Sequence, residues 1–175
     1  ERELLPKLCS GEHGGCLGLT EPGAGSDALG SMTTAAKKNG DGYLINGSKI
    51  YITNGPIADI CVLYAKTDKQ ERSSKGITAF VIETNQPGFK VAQKLKKMGF
   101  RGSQTAELVF EDMVVPRKNI VGTEHQGHQV VMSGLDYERA AIAPINVGVA
   151  ERALELAVDY AKTRSQFDQP ISQFQ

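Results

Sequence analysis

Gly42-Tyr43-Leu44-Ile45-Asn46-Gly47-Ser48-Lys49-Ile50-Tyr51-Ile52-Thr53 is two β-branched or aromatic runs set on either side of Asn-Gly. Asn-Gly between such runs is the strongest short-range hairpin signal, because both residues tolerate the positive φ of a tight type I′ turn. The spacing therefore predicts two strands, 42–45 and 48–53, turning at Asn46-Gly47. Asn46-Gly47-Ser48 also fits a glycosylation sequon, but the turn explains the same residues better. Working outward, runs of the same kind recur at 60–66, 77–83, 89–95 and 107–115, separated by Gly, Asn, Pro or charged loops. Six or more short strands with no helical pattern between them, from about Gly15 to Pro116, predict a β-barrel or sandwich. Residues 67–76 read as a charged loop.

The flanks have a different period. Residues 1–10 (ERELLPKLCS) carry apolar residues at helical spacing around Pro6 and read as the tail of a helix ending near Gly11. From about Glu124 the apolar spacing becomes three-four, predicting one long helix from Gly127 to Thr163 or two helices meeting at Pro144. Residues 149–162 (VAERALELAVDYAK) are amphipathic, with Glu151, Arg152, Glu155 and Asp159 on one side. The expected class is α+β: an all-β domain followed by the start of a helical one.

Composition excludes several partners. The chain has 175 residues, with 20 basic and 20 acidic side chains that cancel, so nothing attracts nucleic acid or an anionic membrane. The absence of Trp also weighs against base stacking. Cys9, Cys16 and Cys61 are scattered and odd in number, the usage of a reducing compartment. No run of apolar residues is long enough for a transmembrane span, and no signal peptide opens the chain. The first residue is Glu1 rather than Met and the last is Gln175, so both ends read as cut. His125 and His128 have no Cys or acidic pattern to complete a metal site. Gly23-Ala24-Gly25 lacks the third glycine of a dinucleotide fingerprint, and no Walker loop is present.

Two stretches carry candidate chemistry. In Leu17-Gly18-Leu19-Thr20-Glu21-Pro22-Gly23-Ala24-Gly25-Ser26-Asp27, Pro22 fixes its own φ, while Gly23 and Gly25 permit turns through φ > 0. Hydroxyls at Thr20 and Ser26 and the N–H groups between them can form an anion-binding concavity; the alternative is an ordinary Gly/Pro surface loop capped by Asp27. The second stretch lies between Val130 and Ala150, where the charged residues are Asp136, Glu138 and Arg139 alone. On a helix Asp136 and Arg139, three apart, can pair. Glu138 lies roughly 200° around from Asp136, at about 100° per residue. It is the carboxylate expected to be desolvated, with a raised pKa suited to base work; the alternative is a solvated surface Glu at the kink.

Leu19-Thr20-Glu21-Pro22-Gly23-Ala24-Gly25-Ser26-Asp27 closely resembles the signature that opens the β-domain of the flavin-dependent acyl-CoA dehydrogenases. Tyr51-Ile52-Thr53-Asn54-Gly55, Lys97-Met98-Gly99-Phe100-Arg101-Gly102-Ser103 leading to Phe110-Glu111-Asp112, and Arg164-Ser165-Gln166-Phe167 follow in that family's order. The resemblance, from Leu5 to Gln175, implies three parts. Residues 1–11 would end an N-terminal helical domain, 12–118 would form the flavin- and CoA-binding β-domain, and 119–175 would begin a C-terminal antiparallel helical bundle. FAD is the implied cofactor, with Leu17, Leu19, Thr20, Gly25 and Ser26 around the flavin and Tyr51, Ile52 and Thr53 along its ring. Arg164, Phe167 and Gln175 match residues that reach a neighbouring subunit's flavin, implying a homo-oligomer, a dimer or a tetramer.

For the substrate, an acyl-CoA, the resemblance implies Ser26 at the CoA pyrophosphate, Ser74 and Lys75 on CoA, and Asp136, Tyr137 and Arg139 lining the cavity. Glu138 falls where the isovaleryl-CoA and long-chain branches carry their base. The implied reaction is α,β-dehydrogenation of a short- or branched-chain acyl-CoA. Glu138 takes the α-proton, the β-hydrogen leaves as hydride to the flavin, and a trans-2-enoyl-CoA results. Electrons then pass to an electron-transfer flavoprotein, in a bacterial cytoplasm or mitochondrial matrix. Alternatives are a glutaryl-CoA or succinyl-type reaction on the same scaffold, or a non-catalytic module that binds an anion or partner. The chain departs from the pattern at Tyr51, usually Trp, and at Asp168, usually Gly. It also departs from isovaleryl enzymes at Gln129, where they have Tyr, and at Pro144-Ile145-Asn146, where they have Gly-Gly-Pro.

Overall fold

A short helix, α1 (Leu5–Ser10), opens with Pro6 in its first turn, where a missing N–H costs nothing, and stops at Gly11, which takes φ 78° as its left-handed cap. The computed structural model describes residues 3–68 and 74–175. Glu1, Arg2 and the middle of the expected charged loop lie outside the described residues. One compact unit ends at Val131 and a second is Met132–Gln175.

The first unit is a sheet of eight strands: β1 (Gly15–Gly18), β2 (Ala35–Asn39), β3 (Gly42–Thr53), β4 (Ile60–Lys66), β5 (Ile77–Glu83), β6 (Phe89–Lys94), β7 (Thr105–Pro116) and β8 (Ile120–Val121). Their order is β6-β7-β3-β2-β4-β5-β8, with β1 paired parallel to β4. Ring centroids of Tyr43 on β3 and Phe80 on β5 lie 5.1 Å apart in a T-shaped contact. Three strand steps separate β3 from β5, roughly 14 Å in a flat sheet, so the sheet curls round one core. Tyr43, Ile45, Leu63, Phe80, Ile82, Leu108, Phe110 and Met113 fill that core, as the alternating runs predict.

The expected hairpin at Asn46-Gly47 does not exist. Residues 42–53 form one continuous strand, and the tight turn is Gly40-Asp41, joining β2 to β3 with Asn39 opposite Gly42. Gly40 takes φ 57°, so the sequence Asn39-Gly40-Asp41-Gly42 supplies the turn chemistry. Asn46 instead latches a bulge in β7. Its amide oxygen accepts the Asp112 N–H at 2.9 Å, and its Nδ2 donates to Asp112 Oδ1 at 3.1 Å. There Asn46 faces two residues, Glu111 and Asp112, where the register shifts. Gly47 is glycine because Thr34 passes over it: a Cβ would sit 2.5 Å from Thr34 Oγ1.

A 37-residue helix, α2 (Gly127–Thr163), begins in the last residues of the first unit and continues through Pro144 as a single element, most of it in the second. Pro144 withholds the N–H that the Ala140 carbonyl would receive. A two-residue hairpin follows, Ser165–Gln166 against Gln169–Pro170, turning at Phe167 (φ 52°) and Asp168 (φ 60°), both left-handed as a type I′ turn requires. No helix is long and apolar enough to cross a membrane among the described residues.

Candidate functional site

The loop after β1 is organised by Glu21. Glu21 and Ala24 exchange both backbone hydrogen bonds, at 3.1 and 3.0 Å, pinching 21–24 into a closed turn. The Glu21 side chain turns inward. One carboxylate oxygen accepts from the Thr33 N–H at 2.7 Å and hydroxyl at 2.5 Å; the other accepts from the Thr34 N–H and from Lys49 Nζ, each at 2.9 Å. Lys49 also donates to the Leu19 carbonyl at 3.0 Å. Both members of this ion pair are buried. Burial alone would raise Glu21, but the Lys49 charge and the Thr33 and Thr34 hydrogen bonds outweigh it and bring its pKa to about 2. For Lys49 burial dominates and lowers the ammonium below its ordinary range, with Glu21 opposing.

This frame corrects the expected role of the glycines. Neither Gly23 nor Gly25 adopts positive φ; the turn is held by the Glu21–Ala24 pairing. A Cβ built on either would meet nothing within 4 Å, so the outer surface of the loop is open. Gly25 and Ser26 are exposed, while Leu19 and Thr20 are half-buried. Among the described residues, the hydroxyls of Thr20 and Ser26 and the N–H groups of Gly23, Gly25 and Ser26 have no partner within the fold. Leu17 is exposed on β1.

The Thr20 carbonyl accepts the Ile50 N–H at 2.9 Å and fastens this loop beside Tyr51. On β3 the inward positions run Tyr43, Ile45, Gly47, Lys49, and strict alternation would put Tyr51 next. A second bulge intervenes: Ile50 and Tyr51 face the single residue Glu107, and Tyr51 takes φ 60°. Its ring is turned out to 67% exposure, and Ile52 takes the inward place at 3%. A bulky residue in the left-handed region costs on the order of 1–3 kcal/mol, strain of a kind found at functional sites. Of the expected ring-side residues, Tyr51 and Thr53 present exposed side chains, while Ile52 offers only its backbone. Tyr51 also walls a ≈ 620 Å³ groove with Gln93, Lys94, Leu95, Lys96, Lys97 and Thr105.

At a different place in the unit, Ser74 and Lys75 lie on the single turn Ser74–Gly76, and Lys75 lines a ≈ 340 Å³ cavity with Glu124, His125, Gln126, His128 and Gln129. Glu124 is a hub that sequence reading missed. It accepts the Tyr43 hydroxyl and faces Lys38, Arg117 and His125 at 3.5–3.6 Å. The Tyr43 bond is the main cause that lowers Glu124, and burial with that same bond pushes Tyr43 up to about 12. Glu21 and Lys49 were missed as a pair as well; the available signal was a Lys at an inward position of an otherwise apolar strand. Among the described residues no group of three His, Cys, Asp or Glu is placed to hold a metal.

In the second unit Asp136, Tyr137, Glu138 and Arg139 are all exposed on α2. The burial expected for Glu138 is therefore not found: among the described residues nothing covers that part of the helix. The expected Asp136–Arg139 ion pair does not form either among the described residues. Arg164 and Gln175 are exposed, and Phe167 stands at the hairpin tip, 6.1 Å between ring centroids from Phe174.

The chain combines a curled β-unit carrying an open glycine loop beside an outward aromatic with a long helix that follows in sequence. Residues 16–113 match the family model for the acyl-CoA dehydrogenase middle domain, and residues 125–175 match the model for the acyl-CoA dehydrogenase C-terminal domain. The chain belongs to the acyl-CoA dehydrogenase family. It is 53% identical to a mitochondrial isovaleryl-CoA dehydrogenase of Oryza sativa subsp. japonica over 99% of this chain and 42% of the relative. It is 49% identical to a mitochondrial 2-methylacyl-CoA dehydrogenase of Solanum tuberosum over 100% of this chain and 42% of the relative. Among solved structures, butyryl-CoA dehydrogenase from Megasphaera elsdenii superposes with a TM-score of 0.94 at 47% identity, covering 98% of this chain and 45% of that one. The chain thus spans less than half the length of these relatives.

Proposed function

We propose that this chain is the flavin-holding and base-bearing portion of an enzyme that oxidises a short- or branched-chain acyl-CoA thioester to its trans-2-enoyl form. The observation that carries the reading is the outward Tyr51 ring, held in a left-handed bulge beside the open Leu17–Ser26 loop. A fold accepts such strain where a flat ligand must lie against the ring. The residues fit FAD. Thr20, Ser26 and the free N–H groups of Gly23 and Gly25 supply donors to its oxygens, and the two glycines leave room for close approach. When bound, FAD supplies the hydride acceptor. Glu21 and Lys49 hold the loop's shape from beneath, so its donors are fixed before any ligand arrives.

Glu138 is the proposed base for the α-proton, and Asp136, Tyr137 and Arg139 line the acyl cavity. Ser74, Lys75 and Ser26 contact CoA. Arg164, Phe167 and Gln175 serve a neighbouring subunit's flavin in a homo-oligomer, and an electron-transfer flavoprotein is the electron acceptor. The identities to isovaleryl-CoA and 2-methylacyl-CoA dehydrogenases favour a branched substrate. Bleaching of the flavin absorbance on anaerobic addition of isovaleryl-, 2-methylbutyryl-, butyryl- and glutaryl-CoA tests the reading. Glu138→Gln should keep FAD and slow bleaching by about 10²–10⁴-fold, the usual cost of a lost general base. Bleaching at the parent rate would move the base elsewhere, and no bleaching with any thioester would leave only a binding module.

A further inference from the structure

Cys16 on β1 and Cys61 on β4 are direct partners in the parallel register. Adjacent strands lie about 4.8 Å apart, so the two α-carbons fall within the ~4.4–6.8 Å that a disulfide spans. Both side chains occupy one face. Gly18, two residues beyond Cys16 and on its side of β1, would place a Cβ 3.4 Å from Cys61 Sγ. Cys61 is fully buried, whereas Cys16 is half-buried and packs against the core from the edge. The neighbouring thiol lowers Cys16 against the opposing effect of burial, and with burial it pushes Cys61 well up. Cys16 is thus the member a solute reaches first, with Cys61 directly beside it on the neighbouring strand.

We propose that Cys16 and Cys61 form a modification site, a dithiol that a hydroperoxide oxidises to a disulfide bridging β1 and β4. The Cys16 sulfur attacks one peroxide oxygen; the O–O bond breaks, the departing hydroxide takes the proton that Cys16 gives up and leaves as water, and Cys16 becomes a sulfenic acid. Cys61 sulfur then attacks Cys16 sulfur. The S–O bond breaks, and the departing hydroxide takes the Cys61 proton. Two thiols and one hydrogen peroxide give one disulfide and two waters, the sulfurs losing two electrons and the peroxide gaining them. Parallel partners hold their Cβ atoms near the strand spacing, wider than the ~3.8 Å of a relaxed bridge, so the bond is strained and readily reduced again. Cys9 is exposed on α1 and takes no part.

Hydrogen peroxide added to the folded protein, followed by unfolding, alkylation and non-reducing peptide mapping, tests this. A peptide pair linked through Cys16 and Cys61 should appear, with alkylation of both falling about tenfold or more and Cys9 still labelled; dithiothreitol should restore all three thiols. Cys16→Ser, a change at the half-buried member, should fold as shown by circular dichroism and leave Cys61 an unoxidised thiol after the same treatment. Over-oxidation of Cys16 to sulfinic acid while Cys61 stays alkylatable would overturn the proposal. So would a bridge from either residue to Cys9, or loss of the Cys61 thiol in Cys16→Ser.

Discussion

Glu21 and Lys49 show how one buried pair shapes a surface loop. Glu21→Gln would leave the Lys49 ammonium buried without a counter-charge, which typically costs about 3–5 kcal/mol. The denaturant midpoint should fall accordingly, and adding Lys49→Met should recover much of the loss. The sign of the pH dependence follows from the direction of the shift. Glu21 sits at about 2 in the fold against an ordinary 4.5, so its contribution is present above about 4.5 and fades as pH falls towards 2. That shift alone corresponds to roughly 3 kcal/mol, and the depressed Lys49 offsets part of it. Urea unfolding at a series of acid pH values reads this directly. Tyr51 poses the opposite case. Tyr51→Gly removes the left-handed strain and should raise stability by about 1 kcal/mol while weakening FAD retention. Tyr51→Phe should keep the flavin, and loss of FAD from Phe but not from Gly would remove the ring from the site.

Among the elements, the bulges carry what alternation alone cannot. Asn46→Ala removes both bonds to Asp112 and should cost about 1–2 kcal/mol by thermal unfolding, with no change in strand content by circular dichroism. A true hairpin turn at this site would instead have shown register loss. The strands at 60–66, 77–83, 89–95 and 107–115 were legible because β-branched runs between breakers have few other fates. The turn was misplaced because two Asn-Gly dipeptides, Asn39-Gly40 and Asn46-Gly47, lie seven residues apart in sequence. Only the partner strand decides which one turns: Asp112 across β7 claims Asn46, and Thr34 crowds Gly47. The outward face of Tyr51 was equally hidden, since the bulge that shifts its phase needs Glu107 opposite it. The glycine loop was recognised from its residues, but its inner brace was not, because Lys49 lies far from Glu21 along the chain. Charge scarcity singled out Glu138 on α2, but its expected burial is not met among the described residues, because burial depends on neighbours that local sequence does not supply.

Across the whole molecule the two units differ in how much they bury. The first holds the core, while α2 exposes Tyr137, Ile145, Val147, Val149, Leu154 and Tyr160 by 60% or more. Such a helix opens easily, so limited proteolysis should cut first beyond Met132 and leave a resistant fragment ending near Val131. Cuts within β3, β4 or β5 at the same rate would contradict this division. The β1–β4 pairing has a further consequence, in time rather than space. The Gly14 N–H reaches Asp59, 45 residues on, at 2.8 Å, and β1 then runs parallel to β4. Closing so long a loop costs entropy before any contact rewards it, whereas β2–β3 and β4–β5 can zip from nearby turns. β1 is therefore expected to dock after the β2–β3 and β4–β5 pairs have formed, and pulse-labelled amide exchange during refolding should find Cys16 and Gly18 protected after Tyr43 and Phe80. The proposed flavin loop hangs from that strand, so the proposed ligand-binding surface matures only once those local strand pairs are already in place.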